Sequence, residues 1–204
     1  MGVGLEADQL TFAAADALKR GARVILHTGR VGCAQWLEHQ GVPFETLDHL
    51  YDECADFDEH AERAAAHVMA AAREGDVVYA VYDVRDRSVL RLTQRAQKLK
   101  VIAGPPVEGA LMARIDGATR LLEASDWENF RLSPMENALV REVDSRALAS
   151  EVKLKLMECY PEETICFALS GDGGVARAPL YDLDRLKGYD HRFCAGTSAQ
   201  KRWS

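Results

Sequence analysis

Small apolar residues recur at three- and four-residue spacing between Asp56 and Glu74: Ala61, Ala64, Ala65, Val68, Met69 and Ala72. That period predicts a long helix with one buried face, ended by Gly75. The next stretch, GDVVYAVYDVRDRSVL, changes period. Val77, Val78, Ala80 and Val81 are apolar or small on both faces, which predicts a buried strand. Asp83, Arg85, Asp86 and Arg87 follow at once. A parallel strand of an open α/β sheet delivers its C-terminal end to the ligand crevice, so this charged tip stands where an active-site loop is expected. Its alternating signs predict a solvated, partly self-paired loop.

The rest of the first half alternates in the same way. Residues 8–20 read as a helix with Asp8 at the N-cap and Gly21 at C′. Arg23–Thr28 is a β-rich run, Val31–Gln40 is helical up to Gly41, and Val42–Leu47 is a second short strand. A helix is expected near Ser88–Lys98, followed by a strand over Leu99–Ala103. Alternation at this pitch implies a parallel sheet with right-handed crossovers. The Pro/Gly-containing segment Ala103–Gly109 is the best boundary.

The second half is mixed. Gly109–Arg114 and Thr119–Ser125 look helical, and Ser133-Pro134-Met135-Glu136 fits a capping box that starts a short helix. Residues 138–143 fit helix or strand equally. Ser145–Tyr160 is a helix with Leu148, Val152, Leu156 and Cys159 as its stripe, closed by Pro161. Thr164–Leu169 is a strand, Gly171–Gly174 a tight turn, and Val175–Tyr181 the returning antiparallel strand. Residues 192–195 add a last strand, and the tail reads as disordered. The expected organisation is a parallel α/β lobe over 1–105, a mixed α+β lobe over 109–195 and a tail over 196–204.

Composition narrows the function classes. With 204 residues and 48% apolar content the chain can bury a sizeable core. A net charge of −7 without a Lys/Arg run argues against a nucleic-acid partner. No window approaches the length of a membrane span, and the acidic start lacks the basic region of a signal peptide, so a cytoplasmic protein is expected. Cys33, Cys54, Cys159, Cys166 and Cys194 are odd in number and without a CxxC pair, which suits reduced thiols packed as small apolar groups. The histidines lack metal-ligand spacing, and His60 and His67 read as solvated positions on one helix. Gly2–Glu6 offers a glycine-containing loop before a helix, but Glu6 and Asp8 repel an anion, so a flexible N-terminus is the better reading.

Four segments carry a resemblance: residues 27–59 (HTGRVGCAQWLEHQGVPFETLDHLYDECADFDE), EGDVVYAV at 74–81, RALASEVKLKLMECYPEE at 146–163 and APLYDLDRL at 178–186. ASEVKLKLMECYPEE with the downstream PLYDLDR is the most specific part. Together they resemble the tetrapyrrole (corrin/porphyrin) methylase family, closest to the version fused upstream of MazG-type nucleotide pyrophosphohydrolases. The resemblance implies a two-lobed α/β methyltransferase, commonly a homodimer, with S-adenosylmethionine in the cleft between lobes. It implies cofactor contacts from three loops, here at Gly4, at Val81, Tyr82 and Asp83, and at Gly104. Met157 and Leu180 are the apolar walls expected from the second lobe. No catalytic residue is assigned.

All three loops depart from the family pattern. Leu5-Glu6-Ala7 stands where relatives carry Gly-Pro-Gly or similar, Tyr82-Asp83 replaces a Pro-Gly turn, and Pro105-Pro106 replaces small hydroxyl residues. Side chains in place of glycine bar close backbone approach, and prolines remove donors. A second reading therefore stands beside the methyltransferase: a non-catalytic methylase-like protein that binds another ligand, or a partner such as a separately encoded nucleotide pyrophosphohydrolase.

Overall fold

A computed structural model describes residues 1–170, 174–190 and 192–197. The chain divides into two compact units, Met1–Val107 and Glu108–Ser204.

In the N-terminal unit, β1 (Arg23–Leu26), β2 (Glu45–Thr46) and β3 (Val77–Ala80) form a parallel sheet in the order β2-β1-β3. The chain start extends the sheet beyond β3. Gly2 bridges Val81 in parallel, and the N–H groups of Val3 and Gly4 donate to the carbonyls of Val81 and Tyr82 at 2.9 and 3.0 Å. The stretch expected to be a flexible N-terminus is thus held in register. The strand expected over 99–103 does not form: its one described backbone bond runs from the Gly2 N–H to the Ile102 carbonyl at 2.9 Å. Gly104 packs directly on that start, since a Cβ there would lie 2.4 Å from the Gly2 carbonyl oxygen.

Five helices cover this sheet: α1 (Phe12–Arg20), α2 (Gly32–Gln40), α3 (His49–Glu53), α4 (Phe57–Ala71) and α5 (Arg87–Arg95). The sequence reading starts α1 at Asp8. The chain instead makes a 3-10 turn over Ala7–Gln9, extends at Leu10, and restarts with Thr11 as the cap, whose Oγ1 accepts from the Ala14 N–H at 3.1 Å. Gly21 ends α1 in an extended conformation, and what it needs is room: a Cβ would meet Val78 Cγ2 at 2.7 Å. Gly41 ends α2 at φ 66, a left-handed conformation that suits glycine. Helix α3 is absent from the sequence expectation. Ile25, Leu47, Ala64, Ala65, Val68, Tyr79, Val81 and Leu92 form the core between sheet and helices.

The C-terminal unit contains α6 (Gly109–Met112), β4 (Thr119–Glu123), β5 (Asn137–Arg141), α7 (Arg146–Met157), β6 (Ile165–Leu169), β7 (Val175–Pro179) and β8 (Cys194–Thr197). Its mixed sheet runs β4-β5-β8-β6-β7, with β4 and β5 parallel and the other pairs antiparallel. Thr119–Glu123 is a strand rather than the expected helix, because pairing with β5 outweighs the local helical preference of its leucines. Ser133–Glu136 is a turn closed by the Glu136 N–H on the Ser133 carbonyl at 3.1 Å. No helix can grow from it, since Asn137 already enters β5. Every residue of β5 is buried, which resolves the ambiguous run as a central strand. Strands β6 and β7 pair as expected, and their turn at 171–173 lies outside the described residues. Strand β8 takes in Gly196 and Thr197, which the sequence reading placed in the tail. Residues 198–204 of that tail lie outside the described residues.

Candidate functional site

The C-terminal edge of the parallel sheet gathers the chemistry of the N-terminal unit. His27 and Thr28 follow β1, Val81, Tyr82 and Asp83 follow β3, and the chain start brings Gly4 beside Tyr82. Val81, Tyr82 and Asp83 are all buried.

Several polar groups of the first two predicted loops are engaged by the chain itself. Gly4 has φ 72 and lets the chain turn so that the Leu5 and Glu6 N–H groups converge on one acceptor, Gln9 Oε1, at 2.7 and 3.2 Å. In the loop after β3, Asp83 takes a two-pronged contact from Arg85: Nε to Oδ1 at 3.1 Å and Nη2 to Oδ2 at 2.7 Å. The Arg85 N–H adds a bond to Oδ1 at 2.9 Å, and the Val107 N–H reaches Oδ2 at 3.5 Å. Self-pairing is as the sequence reading expects, but solvation is not. Asp83 and Asp86 are 3% and 7% exposed, because this loop folds back over the end of the sheet. In the third loop, Gly104 serves the close approach to Gly2.

Beneath the loop lies a closed ring of four polar side chains that the sequence reading did not assemble. His27 Nδ1 and Tyr79 Oη are 2.6 Å apart, and Tyr79 Oη and Ser88 Oγ are 2.8 Å apart. Ser88 Oγ donates to Asp86 Oδ1, and Asp86 Oδ2 lies 3.6 Å from His27 Nε2. The donors follow by counting. Ser88 gives its proton to Asp86, so it accepts from Tyr79. Tyr79 then accepts from His27, which makes Nδ1 the donating nitrogen. Asp86 also caps α5 through the Ser88 N–H at 2.8 Å, so the ring fixes where that helix starts.

Imidazole and phenol rings pack against this network. His60 lies 4.9 Å from His27 and 4.3 Å from Tyr51, and Tyr82 lies 6.4 Å from His27, between ring centroids. His60 was expected in solvent, yet it is 4% exposed and its Nε2 has no hydrogen-bond partner among the described residues. It sits on the buried face of α4, one turn before the Ala64–Ala65 contact. Burial, with the nearby His27, pulls its pKa down to about 4. Burial also drives the Tyr79 phenol well above its usual range. Asp48, at the start of α3, accepts from Thr28 Oγ1 at 2.6 Å and from the Gly29 N–H at 2.9 Å on the loop after β1. Burial raises that carboxyl, but these bonds and the Arg30 charge outweigh it and hold it below its ordinary value. Of this ring the sequence marks Asp86, in the charged run after β3, but not His27, whose partners are 52 to 61 positions away.

Two predicted residues belong to the C-terminal unit. Leu180 is fully enclosed in that unit's core, and Met157 packs against the same core. Leu180 therefore offers no side-chain surface to a ligand, a correction to the wall expected there. Glu108 is buried, with its Oε2 3.9 Å from Arg141 Nε. Among the described residues, no group of three or more His, Cys, Asp or Glu side chains is placed to hold a metal ion. No described helix is long and apolar enough to cross a membrane. All five cysteines are unbridged, and burial pushes Cys33, Cys166 and Cys194 up to about 12.

No protein-family model matches the chain. The Bacillus subtilis (strain 168) protein "Uncharacterized protein YabN" is 28% identical over 208 residues, covering 90% of this chain and 41% of that protein. The chain thus spans about two fifths of that relative's length. Among solved structures, the uroporphyrin-III-C-methyltransferase of Thermus thermophilus aligns over 97% of this chain and 92% of its own, with a TM-score of 0.68 and 20% identity. The cobalt precorrin-4 methyltransferase CbiF, a cobalamin biosynthetic enzyme, covers the same shares with a TM-score of 0.64 and 14% identity. The chain has the tetrapyrrole methylase fold, with one parallel and one mixed sheet.

Proposed function

We propose that this protein is a methyltransferase of the tetrapyrrole-methylase type, taking S-adenosylmethionine at the C-terminal edge of its N-terminal sheet. The observation that carries the reading is the convergence of the Leu5 and Glu6 N–H groups on a single oxygen, held now by Gln9 Oε1. Two donors aimed at one acceptor form a seat for a carboxylate or hydroxyl oxygen. Gln9 is exposed, so exchanging its amide for a ligand oxygen costs little. The neighbours' activities and the shared fold over nearly the whole chain support the same reading.

With Gln9 swung away, the Leu5 and Glu6 N–H groups would hold an oxygen of the cofactor at this seat. Gly4 would flank it, whereas Val81, Tyr82, Asp83 and Gly104 are packed against the chain start and their own loop, so a cofactor would reach them only where that packing opens. When bound, S-adenosylmethionine supplies an electrophilic methyl group on a sulfonium. The chain's own part is alignment and exclusion of water, the main demands of a methyl transfer. Asp83 is neutralised by Arg85 and so adds no unbalanced charge against a ligand carboxylate. The acceptor class, a tetrapyrrole, is taken from the two structural neighbours.

A second reading is favoured by the same loops seen from the other side. The Leu5 and Glu6 N–H groups and the Asp83 carboxylate already have partners within the chain, as in a protein that has given up the cofactor. In that case the fold binds another ligand or a partner, with a nucleotide pyrophosphohydrolase the first to test. Calorimetry with S-adenosylmethionine and S-adenosylhomocysteine separates the two, using wild type and Gln9→Ala. Methyl transfer predicts binding that tightens about tenfold when the competing amide is removed. No heat from either ligand with either protein at millimolar concentration rejects it and leaves the partner reading, which a pull-down and light scattering then test.

A further inference from the structure

The N-terminal unit has an apolar cavity of about 460 Å³ toward the opposite end of β3, lined by its first residues and the neighbouring helices. Its floor is buried and made of Val68, Tyr79, Val89 and Leu92. Its mouth is the exposed run Lys98-Leu99-Lys100-Val101. Leu99 and Val101 are 46% and 50% exposed, two large aliphatic side chains left half in water beside an apolar hole. Lys98 and Lys100 alternate with them, and among the described residues neither lysine has an ion-pair partner. Asp76 is the one carboxylate in the lining, so the side chains there carry two positive charges against one negative.

We propose that this cavity is a binding site for a single alkyl chain with an anionic head, a medium-chain fatty carboxylate. The volume is within the range of small-molecule sites. The lining is apolar at depth and cationic at the mouth, so the chain goes in and the carboxylate stays out with the lysines. Lysine suits that head, because an ammonium on a flexible stem meets a compact charge without demanding a fixed geometry. A bound chain also brings Leu99 and Val101 out of water, which explains why they are tolerated there. The site does not depend on the methyltransferase reading, since none of its mouth residues touches the C-terminal edge of the sheet.

The test uses the full chain and ligands below their micelle concentrations. Dodecanoate is expected to bind and raise the thermal midpoint, and decanoate to bind about fifteen-fold more weakly, from the loss of two buried methylenes. Dodecyltrimethylammonium is expected to bind poorly to wild type and better than dodecanoate to the Lys98→Glu/Lys100→Glu protein. Ala72→Trp places a large ring into the lining from an exposed helix end, so it should abolish dodecanoate binding while the protein stays folded by circular dichroism. Equal binding of the two heads, binding that survives Ala72→Trp, or no binding of dodecanoate at all overturns the proposal. So does a concentration-dependent dimer that covers the mouth and excludes dodecanoate.

Discussion

At the scale of single residues, the burial of polar groups decides behaviour. His60 is the clearest case. Its pKa in the folded chain is about 4, against an ordinary value of 6.5. As pH falls below about 6.5 the unfolded chain takes up this proton first, and the folded chain follows only near pH 4. Stability contributed here is therefore full above about 6.5 and lost on the way down to about 4, by about 3 kcal/mol across the window. Urea unfolding between pH 7 and pH 4.5 should show that loss, and His60→Phe should flatten it; an unchanged acid limb in the variant would exclude His60 as its source. Tyr79 gives a second expectation. Tyr79→Phe leaves the His27 Nδ1 proton without its acceptor and Ser88 without its donor, and should cost about 1–3 kcal/mol by the same assay. The burial of these side chains was not legible in the sequence. His60 has a polar side chain at a position whose period points inward, and the two signals conflict. A partly self-paired loop was legible, but whether Asp83 and Arg85 pair with each other or face a ligand was not; only the folded loop joins them.

At the scale of elements, a cap or a stop residue fixes where a helix begins or ends. Asp56, Ser145 and Gly41 sit where the sequence reading put helix boundaries. The start of α1 shows how such a signal fails. Asp8 and Thr11 are both good caps, and only the fold chooses, because Gln9 is needed to fill the turn at Leu5 and Glu6. Thr11→Ala should therefore cost about 1 kcal/mol, while Asp8→Ala should cost only a few tenths, read from paired denaturant curves. The reverse order would restore the earlier start. Strands fared worse than helices for a physical reason. Thr119–Glu123 is a strand because β5 lies beside it, whereas Leu99–Ala103 lacks an equivalent neighbour and forms no ladder.

At the scale of the whole molecule, each unit has its own core, one around Val68 and Leu92 and the other around Leu156 and Leu180. Leu92→Ala and Leu156→Ala should each cost about 2–5 kcal/mol, and the double variant should cost their sum to within about 0.5 kcal/mol, since the two belong to separate clusters. A coupling above about 1 kcal/mol in the cycle would show that the cores are not independent. The sequence by itself determined the parallel α/β character of the first half, the helix boundaries set by Asp56, Ser145 and Gly41, and the position of a charged loop at the end of β3. These depend on period, caps and turn residues, which act over a few positions. Only the tertiary structure decided that Asp83 and Asp86 are buried, that Gln9 occupies the seat made by Leu5 and Glu6, that Leu180 is core, and that His27, Tyr79, Ser88 and Asp86 close one ring. Those facts depend on which strand lies beside which, and side chains brought together across dozens of residues leave no periodic trace in the chain.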